Sequence, residues 1–280
     1  MDDQKKVITL AVAILAFIGI AGTILYFTVL KKPGTAPAEA AGQAEALKAP
    51  EAAVPAPAET AGGEALRLPP VGLDESDPVV RDYAAGLSLD GRFGRWLQTK
   101  SLVRTFVVIV DNIANGQSPK SHVDFFAPEG QFKVAFEPGG TFVDPASYDR
   151  YDPVAEVVSS IDAPAAARFY KGLKPLIKDA YSDLGYPDTD FDDTLVRAMR
   201  ELLEVPVVDG QIRLESKVLS FGMTDDELEA LSPAQKHLLR MGPKNVQAVQ
   251  AKLRELAAAL GVPDSRLPRT KVHKTADGRP

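Results

Sequence analysis

Apolar positions along this chain fall into one long run followed by short periodic groups. From Val7 to Leu30 the sequence reads VITLAVAILAFIGIAGTILYFTVL, 24 residues without a charge. As a helix this run extends about 36 Å at roughly 1.5 Å per residue, enough to cross a hydrocarbon core of about 30 Å with some tilt. Tyr26 lies near one end, where aromatic side chains favour the interface, and Lys5-Lys6 and Lys31-Lys32 bracket the run. A cleaved signal peptide has a shorter apolar region, about 7–15 residues. The pattern therefore predicts an uncleaved single-span anchor over residues 7–30. Residues 1–6 are a short head, expected in the cytosol because everything else follows the span.

Periodicity then stops. Residues 31–67, reading KPGTAPAEAAGQAEALKAPEAAVPAPAETAGGEA through most of their length, carry no aromatic side chain and are dominated by Pro, Ala, Gly and Glu. Such a segment buries too little apolar surface to offset its ordering entropy, and proline stiffens it toward extended geometry. It reads as a disordered linker.

Helical spacing returns at residue 68. Asp77-Pro78 is a helix start, with Val79, Tyr83 and Leu87 as its expected stripe. KSLVRTFVVIVDNIANG, from Lys100 to Gly116, is too short in its apolar part to span a membrane. Leu102, Val103, Phe106, Ile109, Val110 and Ile113 recur at three- and four-residue spacing, which predicts a core helix stopped by Gly116. Asp111 sits at the end where the helix dipole disfavours an anion, which predicts an amide or arginine partner for it. Alternation at Phe132, Val134 and Phe136 before Pro138-Gly139-Gly140 predicts a hairpin. Asp152-Pro153 and Ala163-Pro164 open two helices, the second with Phe169, Leu173, Leu176, Ile177, Ala180, Tyr181 and Leu184 inward and ended by Gly185. A further helix carries Phe191, Leu195, Met199 and Leu202-Leu203. Asp209-Gly210 between β-branched runs predicts a second, two-residue hairpin. Ser232-Pro233-Ala234-Gln235 is a capping box, and Pro243 starts a last helix with Val246, Val249, Leu253, Leu256 and Leu260 inward. The fold class is thus mainly α: a transmembrane helix, a linker, and a helical domain over residues 68–262 with one or two short β-hairpins. Residues 263–280 are polar and basic without periodicity and read as a disordered tail.

Composition narrows the chemistry. Apolar and charged fractions of 45% and 25% suit a globular core. A net charge of −6 argues against nucleic acid as a partner. The absence of cysteine removes thiol nucleophiles, thiolate metal sites and disulfides, and only three histidines are present. His122 falls in a loop, His237 on a polar helix face and His273 in the tail, all expected in solvent. Asp188-x-Asp190-x-Asp192 resembles the start of a calcium loop, but the sixth place is not Gly and the twelfth is Met199. No cofactor or metal is expected.

Five segments in order, LPPVGLDESDP, LVRTFVVIVDNIANG, FVDPASYDRYDPV, LKPLIKDAYSDLGYP and LSPAQKHLLRMGPKNVQAVQAKLRELAAAL, resemble a bacterial family catalogued as domain of unknown function 3014. Together they cover roughly Leu68 to Leu260. The resemblance implies a membrane-anchored domain of Gram-negative-type bacteria and brings no activity or catalytic residue with it. The expected protein is a single-pass protein of the bacterial inner membrane, with its C-terminal domain in the periplasm. That domain would be a non-catalytic binding or scaffold module for another envelope protein or the cell wall. Polar residues beside apolar stripes are its candidate contacts: Arg104, Asp111, Asn112, Arg150, Tyr151, Asp152, Tyr181, Arg240 and Asn245. The alternative is a carboxylate-based envelope hydrolase drawing on Asp111, Asp149, Asp152 or Asp179.

Overall fold

The structure, a computed structural model, describes residues 66–124, 127–218 and 220–275. The expected membrane span and nearly all of the linker lie outside the described residues. Among the described residues no helix is long and apolar enough to cross a membrane. The folded part is mainly helical with a small antiparallel sheet, and two apolar cores hold it together.

Helices α1 (Asp77–Ala84), α2 (Gly91–Trp96) and α3 (Leu102–Ala114) begin the first core. Asp77 opens α1 as expected, yet its carboxylate caps a different helix. It accepts the N–H groups of Ser101 at 2.7 Å and Leu102 at 2.8 Å, satisfying two orphan donors at the start of α3. That clamp holds Ser101 at φ 53°, the one non-glycine residue of positive φ among the described residues. The stripe of α1 is shifted by one from its expected register: Val80 and Ala84 are buried while Tyr83 is exposed. The helix tightens to a 3₁₀ turn at Ala85–Leu87, so spacing that included Leu87 did not describe one helical face.

α3 is the core helix that its spacing predicts. Val103, Val107 and Val110 are buried, with Leu102, Phe106 and Ile113 packed partly against the same core. It lies against α6 (Ala163–Asp183) and α7 (Phe191–Leu203). Asp162 caps α6 by accepting the Ala165 N–H at 2.6 Å, and the helix runs on through Pro175. Six of its expected inward residues, Phe169 through Tyr181, are buried, whereas Leu184 is exposed past the helix end. Asp190 caps α7 in turn, which is the role that the acidic triplet plays at that end.

The second core sits between the sheet and the helices α5 (Asp152–Ser159), α9 (Pro233–Leu239) and α10 (Gly242–Ala259). Strands β1 (Val134–Glu137) and β2 (Gly140–Val143) form the hairpin expected at Pro138-Gly139-Gly140, although Phe132 and Phe136 remain exposed. The second hairpin is not where Asp209-Gly210 placed it. β3 (Val207–Asp209) does not pair with β4 (Arg213–Ser216). Instead β4 pairs with β2 and with β5 (Phe221–Met223), giving the order β1-β2-β4-β5. The Ile212 carbonyl accepts the Val143 N–H at 3.0 Å and draws the chain away from β3 before a tight turn can close.

The vacant side of β3 is taken by the tail, which corrects the expectation of disorder for residues 263–275. β6 (Val272–Lys274) pairs with β3 in parallel, Val207 opposite Val272. Its order comes from main-chain bonds and from His273, whose Nε2 lies 2.7 Å from Asp225 and Nδ1 3.3 Å from Glu227. Strand pairing of this kind needs no apolar periodicity in the added segment. Helices α8 (Asp226–Glu229) and α9 follow, α9 with its capping box formed on both sides at Ser232 and Gln235.

Gly242 marks the start of α10 at φ +81°, and a Cβ there would overlap Cγ and Cβ of Tyr148. Gly261 has nearly the same φ, +82°, with nothing within 4 Å of its Cβ position. Gly242→Ala therefore adds overpacking to left-handed strain and should cost roughly 3 kcal/mol or more, against about 1 kcal/mol for Gly261→Ala. Urea unfolding of the two variants checks this; equal losses would mean that Tyr148 yields without cost.

Candidate functional site

The sheet, the loop after α3 and the helices α4 (Ala146–Asp149), α5 and α9 surround an open cleft of about 940 Å³. That size lies within the range of small-ligand sites, about 300–1,000 Å³. Its floor is the outer layer of the second core, with Val143, Ile212, Leu214, Met223, Leu239 and Met241. Phe132 and Phe221 meet at one edge with ring centroids 6.2 Å apart. Tyr148 lines the wall, and burial pushes its phenol up to about 12, so it stays neutral.

Five cationic side chains line the cleft, Lys120, Arg150, Lys217, Lys236 and Arg240, against the carboxylates of Asp124 and Glu229. Lys217 and Lys236 share Glu229, at 2.9 and 3.3 Å. Glu229 also accepts the Met223 N–H at 3.3 Å. Lys217 above all, then the Met223 amide and Lys236, hold its carboxyl at about 2 against the opposing effect of burial. Arg150 donates to the carbonyls of Ser147 and Gly130, both at 3.1 Å, and lies 5.4 Å from the Tyr151 ring centre. His237 is not the solvated histidine expected from its helix face. Burial, then Arg240 and Lys120, lower its pKa, so the imidazole is neutral at neutral pH. Its Nδ1 lies 3.3 Å from Ser118 Oγ, a long contact, and no carboxylate bonds the ring among the described residues. A nucleophilic triad needs that third group.

The sequence-predicted residues part company here. Arg150, Tyr151 and Arg240 line the cleft. Asp152 and Asn245 lie beside it at the junction of α5 and α10. Asn245 Nδ2 donates to Asp152 at 2.8 Å, and Lys244 pairs with the same carboxylate at 2.7 Å and lowers its pKa. Arg104 is elsewhere, bonded to Asp74 at 2.7 Å and Asp183 at 2.9 Å, where it ties α3 to its neighbours. Tyr181 is buried in the first core with its hydroxyl 3.0 Å from Thr194 Oγ1. Asp111 and Asn112 are half-buried on α3, away from the cleft. The partner expected for the Asp111 carboxylate is missing: no hydrogen bond or ion pair reaches it among the described residues, and its partial exposure leaves it to water. None of Asp111, Asp149, Asp152 and Asp179 lines the cleft. Among the described residues no three His, Asp or Glu side chains are grouped to hold a metal ion.

Sequence reasoning missed Lys120, Lys217, Lys236 and the aromatic edge. The segments PKSHVD and SPAQKHLLRMG do concentrate cations, but nothing local places them around one cavity. A family model described as a protein of unknown function, DUF3014, matches residues 102–257, more than half of the chain. The chain belongs to this family. No curated protein and no solved structure matches it. The span matched by DUF3014 contains every residue that lines the cleft, from Lys120 to Met241, and stops short of the tail strand β6.

Because the Glu229 carboxyl is held below its ordinary 4.5, its contribution to stability is complete above about pH 4.5 and is lost as pH falls toward 2. Glu229→Gln should flatten the pH dependence of urea unfolding within that window and leave the slope above it unchanged. An unaltered acid limb would show that Lys217 and Lys236 do not act on this group.

Proposed function

We propose that this member of DUF3014 is a single-pass protein of the bacterial inner membrane whose folded domain is a non-catalytic binding module on the periplasmic side. The single observation that carries the binding reading is the cleft: an apolar floor edged by aromatic rings and by cations, in a chain of net charge −6. Depletion of acids at an apolar site, with Tyr, Phe and Arg at its margin, is the composition of a recognition surface. The uncharged run of residues 7–30 and the proline-rich segment after it support the tether. The one carboxylate of the cleft with ionic partners, Glu229, is committed to two lysines and an amide, which disfavours acid–base chemistry there.

Two measurements test this reading. A photo-crosslinking residue placed at Phe132 or Phe221 in growing cells should capture a discrete partner, whereas one at Lys178, outside the cleft, should not. Equal capture from all three positions, or none from any, overturns the cleft as the binding site. A reporter active only outside the cytoplasm, fused after Pro280, should give signal; activity of a cytoplasm-only reporter instead would reverse the topology.

A further inference from the structure

We propose that the cleft docks an acidic peptide segment, an extended chain bearing carboxylates at several positions with apolar side chains between them. This inference rests on the reading of the cleft as a binding site and names what the site takes. Charge is the first observation. Lys120, Arg150 and Arg240 line the cleft, and none has an ion-pair partner among the described residues. The two carbonyls on Arg150 satisfy its donors but leave its charge unanswered. Elsewhere on the same domain cations meet acids directly: Arg92 with Asp90, Arg104 with Asp74 and Asp183, Lys174 with Asp192. Within the cleft five cations face two carboxylates, and after burial it is Arg240 and Lys120 that lower the pKa of His237.

Distribution is the second observation. Lys120 comes from a 3₁₀ turn after α3, Arg150 from the end of α4, Lys217 from the end of β4, and Arg240 from the end of α9. Lys217 and Lys236 meet at Glu229, and Lys120 and Arg240 both act on His237, which gives two cationic points for a ligand that carries more than one carboxylate. The floor between them is apolar, which suits alternate uncharged side chains, and Phe132 and Phe221 are 46% and 42% exposed beside it. β5, which contributes Phe221 and Met223 to the lining, is the last strand of its sheet. Glu229 already accepts the Met223 N–H on that strand, so a peptide there is held chiefly by its side chains, the apolar ones on the floor and the carboxylates on the cations.

The test uses the full-length protein in phosphatidylcholine nanodiscs. The probe is a fluorescein-labelled heptapeptide of alternating glutamate and leucine, followed by fluorescence anisotropy. Saturable binding is expected, with the counterpart of alternating glutamine and leucine at least roughly tenfold weaker. The double variant Lys120→Gln, Arg240→Gln should weaken binding by a similar factor. Lys178→Gln, Arg200→Gln, which makes the same charge change outside the cleft, should not. Equal binding of the glutamine peptide, no binding of the glutamate peptide, or indifference to Lys120→Gln, Arg240→Gln would overturn the inference. So would binding of phosphatidylglycerol vesicles that this double variant abolishes while the peptide stays unbound, which would assign the cleft to lipid. If crosslinks from Phe132 and Phe221 persist in cells while every peptide arm fails, the cleft remains a binding site and only the ligand class falls. Loss of those crosslinks overturns the binding reading itself.

Discussion

The carbonyls at the C-terminal end of α7 face the second core, and two glutamine side chains answer them: Gln235 donates its amide to the Glu201 carbonyl at 3.3 Å. Gln250 of α10, itself buried, donates its amide to the carbonyls of Leu202 at 3.1 Å, Leu203 at 3.4 Å and Val205 at 2.8 Å. A helix end left unsatisfied in such a place costs about 1–3 kcal/mol for each orphaned group. With the amide in position, the chain passes directly from α7 into β3, and Val205, Val207 and Val208 are buried. β3 then serves as the rail onto which the tail strand closes, and Ile212 carries the chain across to the sheet that floors the cleft. The other atom of the same side chain, Oε1, is buried without a partner among the described residues. Gln250 leaves one acceptor unmet while its two N–H groups are shared among three carbonyls.

Some cations tie helices together, whereas several at the cleft have no ion-pair partner among the described residues, a contrast that supports the proposed reading of the cleft. Around the first core, long cationic side chains serve as ties: Arg104 joins α3 to the acids Asp74 and Asp183, and Lys174 joins α6 to Asp192. Tyr170 adds a bond of 2.5 Å to that same aspartate. Beside the second core, Lys244 and Asn245 converge on Asp152 in the same manner. At the cleft the pattern breaks. Glu229 is asked to balance two lysines, and Lys120 and Arg240 are balanced by nothing in the described domain. Like charges gathered over a low-dielectric floor repel one another, so the fold bears a cost that a bound anion would relieve.

Most capping and stop signals in the sequence read true, while features set by remote partners did not. The capping box of Ser232 and Gln235, the stop at Gly116, the turn at Pro138-Gly139-Gly140 and the helix start at Ala163-Pro164 each depend on neighbours within a few residues, and each stands in the structure. Asp77 was legible as a helix start but not as the clamp on Ser101 and Leu102, because its partners lie 24 and 25 residues away. Asp209-Gly210 has the composition of a hairpin turn, yet β3 finds a better-placed partner more than sixty residues later, which no local rule contains. The cleft suffers most from this. Arg150, Tyr151 and Arg240 stood out beside apolar stripes, but Arg104 and Tyr181 fit the same description and belong to the first core. Adjacency to a stripe finds side chains that meet the protein interior; it does not tell a tie from an open contact.

Tether and cleft constrain one another on the proposed reading. If the domain is tethered as proposed, it would meet a partner anchored in the same membrane more often than one free in solution. Recognition there does not require a large, dry interface. A cleft of about 940 Å³ lined by cations would give salt-sensitive capture of a short acidic segment on the proposed reading. On that reading, cations set over an apolar floor in an acidic chain favour a narrow anionic ligand that can enter the cleft.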